Sequence, residues 1–75
     1  MEMYYLKNKL YVNVEENINQ NLVTSLQRRI YRIIDDYAIN EVILNILTNE
    51  HYDSKLLDEF IDDYNSKYNG RLTIK

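Results

Sequence analysis

The fold is decided by the segment Glu41-Val-Ile-Leu-Asn-Ile46, which is followed seven residues later by Asp53-Ser54. A short apolar run rich in β-branched residues is typical of a buried strand, and we extend this one to Leu47. From about Lys55 to Tyr68 the apolar residues recur at helical spacing, as Leu57, Phe60, Ile61, Tyr64 and Tyr68. The segment therefore predicts a strand followed by an amphipathic helix, with the Ser54 hydroxyl at the amino end of that helix. A hydroxyl in this position is accessible to a partner protein that recognises or modifies it.

A second amphipathic helix is predicted upstream of this strand. Its apolar stripe recurs at steps of three and four residues and consists of Leu22, Leu26, Ile30, Ile33, Ile34 and Tyr37. Asn19 or Asn21 can cap its amino end, because Asn is among the residues that accept a hydrogen bond from the first turn. Asp35 and Asp36 oppose the helix dipole and place the end of the helix near residues 37–39.

Strands are also predicted near both ends of the chain. Residues 3–14 are rich in aromatic and β-branched residues, and they read as two short strands that turn at Asn8-Lys9. Arg71-Leu-Thr-Ile-Lys75 reads as a last strand, and Asn69-Gly70 before it suits the carboxyl end of a helix, because Gly adopts the left-handed conformation easily. The order is then ββαβαβ, and strands that alternate with helices indicate parallel crossovers.

Only one face of the predicted sheet is apolar. That face carries Leu10, Val12, Val14, Val42, Leu44, Ile46, Leu72 and Ile74, and the opposite face carries Tyr11, Asn13, Ile43, Asn45, Arg71, Thr73 and Lys75. A parallel sheet covered on both faces would have nearly continuous apolar strands. Both helices are therefore expected on one face. Right-handed crossovers allow this only when each strand lies beside its predecessor, which predicts an α/β fold with a four-stranded mixed sheet in sequential order.

Composition excludes several classes of function. The 75 residues are expected to form one domain over residues 1–75, without Cys and with a net charge of −3, which opposes a duplex nucleic acid partner. No apolar run approaches the ~20 residues of a membrane span, the start lacks the pattern of a signal peptide, and we expect a cytoplasmic location. His51 is the only His, and no second His or Cys stands at ligand spacing, so we expect no metal site. A domain this small has little room for a pocket, so we also expect no cofactor and no enzymatic activity.

Two charged patches have a functional and an ordinary interpretation. Arg28, Arg29 and Arg32 could bind phosphate or RNA, but with Asp35 and Asp36 beside them they more often form a solvated face. The second helix has an acidic side, which is either a solvated face or a docking surface for a basic partner helix. That side consists of Asp58, Glu59, Asp62 and Asp63.

The chain contains eight Tyr residues. Tyr64 and Tyr68 lie on the helical stripe and are expected in or beside the core. Tyr4, Tyr5 and Tyr11 lie on the first two strands, and some of them must face the uncovered side of the sheet together with Ile43. Aromatic residues are enriched in interfaces, and the last strand is a pairing edge, so self-association into a homo-oligomer is plausible.

Three segments resemble the STAS domain of bacterial anti-sigma factor antagonists. Val14-Glu-Glu-Asn-Ile-Asn19 resembles the segment before the first helix of the family, and Val42-Ile-Leu-Asn-Ile46 resembles its central strand. Asp53-Ser54 stands at the spacing of the family's Asp-Ser-x-Gly segment. The chain departs from the pattern at Glu16, where the family often has Gly, and at Lys55-Leu56, where it has a small residue and Gly. The likeness covers nearly the whole chain, which would be a minimal or shortened version of the domain.

The resemblance implies a regulatory function in transcription. Members of the family bind a GHKL-type protein kinase that doubles as an anti-sigma factor, and the kinase phosphorylates the Ser of the motif, which ends binding. By this likeness Ser54 is the phosphoacceptor, and we expect the partner surface to comprise Asp53, Ser54, Lys55, Asp58, Glu59 and Asp62. Ser54 could instead serve only as a helix cap. Two other functions stay open, a structural or homo-oligomerising module without signalling and a very small enzyme or ligand binder.

Overall fold

Four strands and two helices follow one another in the predicted order ββαβαβ. The computed structural model describes residues 1–68 and 71–75. Its elements are β1 (Glu2–Leu6), β2 (Lys9–Val14), α1 (Gln20–Asp36), β3 (Glu41–Ile46), α2 (Lys55–Lys67) and β4 (Arg71–Ile74). The predicted helix end at Asn69-Gly70 lies outside the described residues.

The strands form one mixed sheet in the order β1-β2-β3-β4. β1 pairs antiparallel with β2, whereas β3 is parallel to both β2 and β4. The register aligns the apolar residues across the sheet, with Leu10 opposite Val42 and Val42 opposite Leu72. The predicted fold class and sequential strand order are therefore confirmed.

The turn of the first hairpin lies one residue earlier than predicted. Lys7 and Asn8 form it, with φ of 52° and 64°, and Lys9 already pairs with Leu6 as the first residue of β2. A two-residue hairpin turn with positive φ at both positions matches the twist of the flanking strands. Asn8 tolerates this conformation well, and Lys7 adopts it because the register of the two strands demands it.

Both helices cover the same face of the sheet, as predicted. The core joins the inward residues of the strands to residues of α1 and α2, and its largest fully buried side chains include Tyr64, Phe60, Leu26 and Ile30. Asn19 caps α1, since its side chain accepts a hydrogen bond from the Leu22 N–H at 2.9 Å.

Two sequence-based expectations about burial were wrong. Tyr37 is 62% exposed, because α1 ends at Asp36 and Tyr37 has extended backbone angles, so its side chain leaves the helical stripe. Val23, which the stripe omitted, is buried instead. Ile43 faces the uncovered side of the sheet but is only 7% exposed. It stands between Tyr11 and Thr73 in the register, and these neighbours shield it.

Candidate functional site

Two loops leave the sheet at the same edge. β2 and β3 are parallel and their last residues, Val14 and Ile46, are partners in the register, so their carboxyl ends coincide. The loop between β2 and α1 and the loop between β3 and α2 both begin there, and the Leu47 N–H donates to the Val14 carbonyl at 2.8 Å. We call residues 15–19 and 47–54 the rim. The fold therefore places Asp53-Ser54 on the rim, beside the segment that precedes α1.

Asp53, and not Ser54, caps the start of α2. The Lys55 N–H donates to Asp53 Oδ1 at 3.0 Å, and the Leu56 N–H donates to the Asp53 carbonyl at 3.2 Å. Ser54 already has helical backbone angles, with φ of −63° and ψ of −19°. Within the described residues its side chain makes no capping hydrogen bond, and it is exposed. The interpretation of Ser54 as a side-chain cap is therefore wrong, because its neighbour performs that task.

This division of roles predicts different stabilities for two alanine variants. Asp53→Ala should lower the free energy of unfolding by about 1 kcal/mol, because it removes the capping acceptor. Ser54→Ala should change it by less than about 0.5 kcal/mol, as expected for an exposed position away from such features. Urea denaturation of the two variants checks the prediction. A larger loss for Ser54→Ala than for Asp53→Ala would contradict it.

All six predicted partner-binding residues are exposed. Asp53, Ser54 and Lys55 form the start of α2, and Asp58, Glu59 and Asp62 continue along it. The buried side of the helix carries Leu57, Phe60 and Tyr64. The structure therefore brings the six residues together as one solvent-facing surface over the first turns of α2, which we call the α2 surface.

Asp63 does not belong to the α2 surface, although the sequence analysis grouped it with the acidic side. Its carboxylate accepts a hydrogen bond from the Tyr31 hydroxyl at 2.6 Å and pairs with Lys67 at 3.6 Å. Tyr31 comes from α1, so this contact joins the two helices. Asp63 therefore helps to attach α2 to α1. The exposed acidic side of α2 consists of the other three residues, Asp58, Glu59 and Asp62.

An aromatic cluster surrounds this contact. The Tyr31 ring lies 6.0 Å from Phe60 and 5.2 Å from Tyr68, and Lys67 Nζ lies 5.0 Å from the Tyr31 ring centre. Burial, and then the hydrogen bond to Asp63, raises the pKa of Tyr31. The same hydrogen bond lowers the pKa of Asp63. Sequence analysis missed Tyr31, because it lies between the stripe and the exposed face of α1.

The pKa shifts of Asp63 and Tyr31 affect stability at opposite ends of the pH range. The lowered pKa of Asp63 means that its contribution is present above the unfolded value of about 4 and is lost as pH falls through the folded value. The raised pKa of Tyr31 means that its contribution is present below about 10 and is lost as pH rises through the folded value. The contact between the helices should therefore be intact across neutral pH.

Tyr31→Phe tests this contact. Removal of the hydroxyl should return the pKa of the Asp63 carboxyl to its ordinary range, because the hydrogen bond is the largest cause of the lowered value. It should also lower stability at neutral pH more than at a pH low enough to protonate Asp63 in the folded chain. NMR titration of the carboxyl carbons measures the pKa, and Tyr11→Phe on the other face of the sheet is the control. An Asp63 pKa unchanged in Tyr31→Phe would contradict the assignment.

Glu16, one of the departures from the STAS pattern, is engaged within the chain. The Met1 ammonium lies 2.9 Å from its carboxylate and donates a hydrogen bond to it. This hydrogen bond is the largest of the causes that lower the pKa of Glu16. The Glu15 N–H donates to the same carboxylate at 3.1 Å. Glu16 therefore ties β1 to the rim.

Two hollows lie away from the rim. One hollow of about 380 Å³ is lined by Met3, Tyr4, Tyr5, Leu10, Ile33 and Tyr37, and another of about 300 Å³ by Ser25, Arg28, Arg29 and Arg32. Neither contains a residue of the rim or of the α2 surface. Across residues 1–68 and 71–75, no group of three His, Cys, Asp or Glu side chains could hold a metal ion.

Comparison with protein-family models finds no match, and searches among curated proteins and solved structures find no significant similarity. The STAS likeness therefore stays a prediction that rests on the quoted residues. In the part of the chain that the structure describes, neither helix has the length and apolar character needed to cross a bilayer.

Proposed function

We propose that this chain is a non-enzymatic regulatory module of STAS type, which binds a partner protein through the rim and the α2 surface. The observation that carries the proposal is the state of Ser54. Its hydroxyl is exposed at the first turn of α2 and has no capping role, because Asp53 supplies the capping acceptor. A side chain that the fold does not use can be modified without loss of structure.

A phosphate on Ser54 would act on binding through its charge and its size. A phosphate on Ser54 adds about −1.5 to −2 charge at pH 7. The amino end of α2 and Lys55 favour that charge, so the fold tolerates it. Asp58, Glu59 and Asp62 make the α2 surface acidic, and a basic partner surface would be attracted to it in a salt-dependent way. A bulky dianion at its end adds to the attraction but obstructs close docking, and the proposed loss of binding requires that the obstruction outweigh the added attraction.

The resemblance supplies the class of partner. We propose a GHKL-type kinase that acts as an anti-sigma factor, in the cytoplasm of a bacterium, with Ser54 as the phosphoacceptor. Phosphorylation would then end binding and alter transcription. The Lys55-Leu56 sequence is bulkier than the pattern of the family, so the kinase would need a matching recess at this position.

Phosphorylation of Ser54 is the direct test. A kinase of this class from the native cell, incubated with the chain and ATP, should add one phosphate, which mass spectrometry should place on Ser54. Ser54→Ala should abolish the addition. Ser66→Ala is the matched control, because Ser66 is an exposed serine of the same helix whose hydroxyl donates to the Asp62 carbonyl. Phosphate on another residue, or none with an active kinase, would contradict the switch.

Binding to the same kinase tests the partner surface separately. Ser54→Asp should weaken binding by about tenfold, equivalent to ~1.4 kcal/mol. Asp58→Lys should weaken it further as salt is lowered, because it reverses the attraction. Isothermal titration calorimetry at two salt concentrations measures both effects. Equal affinity for all three chains would contradict the proposed surface.

A structural or homo-oligomerising module without signalling is the second candidate function. The observation that favours it is the run of exposed apolar side chains on β1, where Tyr4, Tyr5 and Leu6 are each about half exposed. No role in the proposed switch accounts for them.

A further inference from the structure

The two edges of the sheet differ in how they are protected. β1 and β4 are the edge strands. Both strands have charged residues at their ends, Glu2 and Lys7 for β1 and Arg71 and Lys75 for β4, but the uncharged residues 72–74 of β4 are only partly exposed. Residues 3–6 of β1 carry no charge, and its consecutive Tyr4, Tyr5 and Leu6 are 47%, 49% and 52% exposed. The edge with the larger exposed apolar surface is therefore β1, whereas the sequence analysis named the last strand as a pairing edge.

The backbone of β1 has hydrogen-bonding groups that point away from the sheet. Leu6 and Lys9 flank the two-residue turn, and such flanking residues form a hydrogen-bonded pair. Hydrogen-bonded and non-hydrogen-bonded pairs alternate along two antiparallel strands. The backbone N–H and C=O groups of Leu6, Tyr4 and Glu2 therefore point toward β2. Met3 and Tyr5 then direct theirs outward. These four groups, two N–H and two C=O, are the same set on any second copy of the chain.

We propose that β1 pairs antiparallel with β1 of a second copy, about a two-fold axis through Tyr4. Met3 of each copy then lies opposite Tyr5 of the other, so the outward donors and acceptors of both strands satisfy one another. Tyr4 faces its own counterpart at the axis. A two-fold contact requires a self-complementary surface, and this register provides it. The two sheets join into one sheet of eight strands.

The side chains on both faces fit this register. On the open face Tyr4 stacks on Tyr11, with ring centres 4.9 Å apart and planes at 8°, and the second copy extends the stack to four tyrosines in a row. On the helix side, the hollow of about 380 Å³ runs along the unpaired edge of β1 and is lined mainly by apolar side chains. Tyr37, which is 6.1 Å from Tyr5 by ring centres, borders it, and the second strand closes it.

The buried area decides how tight the pairing is. A fully buried aromatic side chain removes about 150–250 Å² from water. Tyr4 and Tyr5 expose just under half of their surface and Tyr37 exposes 62%, which with Leu6 gives at most about 400 Å² for each copy, or about 800 Å² in total. The backbone edges raise the total to about 1,000 Å², the lower bound for a specific interface. Because an interface at this lower bound is small, we expect a reversible dimer that forms in the micromolar range.

Pairing through β1 does not depend on the proposed function. α2 packs against α1 and β4, and β4 is the edge opposite β1. The α2 surface thus stays exposed in both copies, and the dimer carries two equivalent partner sites. Loss of the dimer should leave phosphorylation of Ser54 intact, and failure of phosphorylation should leave the dimer intact.

Sedimentation velocity across the micromolar range tests the dimer. The wild-type mass should rise from monomer to dimer with concentration. Tyr4→Lys places two ammonium groups face to face at the axis and should raise the Kd by at least about tenfold. Leu47→Lys is the matched control, because Leu47 is an exposed apolar residue on the rim, and its dimer should be unchanged. A monomer at all concentrations, or an unchanged dimer in Tyr4→Lys, would overturn the proposal.

A disulfide test confirms the register in a folded chain. The chain has no Cys, so Tyr4→Cys introduces a single thiol. Residues that face each other in a non-hydrogen-bonded antiparallel pair have Cα atoms ~4.5 Å apart, which is within disulfide range. Oxidation should therefore link Tyr4→Cys quickly into a covalent dimer, whereas Leu47→Cys should link slowly. Equal rates for the two variants would overturn the register at Tyr4, and circular dichroism verifies that both variants are folded.

Discussion

Val12→Asp is expected to abolish folding, whereas Asn13→Asp in the next position is expected to leave the protein folded. Val12 is fully buried in the centre of the helix-covered face of the sheet. Within the described residues, no buried polar or charged side chain accompanies it in the core. An aspartate there has neither a partner nor water, and an unpaired buried charge costs several kcal/mol. A domain of this size has only about 4–11 kcal/mol of stability to lose.

The control depends on the alternation of strand residues. Asn13 lies on the opposite face, where its Oδ1 accepts a hydrogen bond from Asn45 Nδ2 at 3.3 Å. Aspartate at this position keeps an acceptor oxygen toward Asn45 and remains on the side without helices, so the expected change is within about 0.5 kcal/mol. Circular dichroism and thermal unfolding of the two variants make the comparison. A folded Val12→Asp variant would contradict the one-sided sheet on which the whole architecture depends.

Strand alternation and helix periodicity could predict the architecture because both are local patterns. The inward residues Leu10, Val12 and Val42 repeat every second position, and this alone places both helices on one face. The apolar stripe limited the cap to Asn19 or Asn21, and the structure shows that it is Asn19. In each case the side chain that decides the structure lies within a few residues of the backbone it organises.

The errors came where local signals were ambiguous or absent. The residues around the first turn include no Gly, so only Asn8 marked the turn, and the prediction of Asn8-Lys9 missed the turn at Lys7-Asn8 by one residue. Tyr37 followed the helical period but lies beyond the end of α1. Exact helix ends depend on caps and tertiary contacts, which the spacing of apolar residues does not encode.

The candidate site also has features that the sequence predicts and features that it does not. The position of Asp53-Ser54 at the start of α2 was predictable from the change of period after Ile46, and so was the exposure of Asp58. The exchange of roles between Asp53 and Ser54 was not, because both residues are good caps and only the backbone angles of Ser54 distinguish them. The Tyr31–Asp63 contact joins residues 32 positions apart and leaves no periodic trace in the sequence.

Phe60→Ala is the second prediction with a large expected effect, a loss of about 3–5 kcal/mol in the free energy of unfolding. Phe60 is fully buried on α2 and meets Tyr31 of α1 in an edge-to-face contact at 64°. Truncation removes apolar contact and leaves a cavity between α2 and the rest of the core. Phe60→Leu should lose less, since it fills more of the cavity, and Leu47→Ala at an exposed position should lose less than about 0.5 kcal/mol.

This variant also separates folding from recognition. Phe60 lies on the buried side of the helix that presents Ser54, so Phe60→Ala should release α2 and abolish kinase recognition together with stability. Ser54→Ala should abolish phosphorylation while the unfolding midpoint stays unchanged. Chemical denaturation and the kinase assay on the same preparations measure both quantities. If Phe60→Ala is phosphorylated as efficiently as the wild type at a temperature where it is unfolded, recognition reads the linear sequence around Ser54, and the α2 surface is not the determinant.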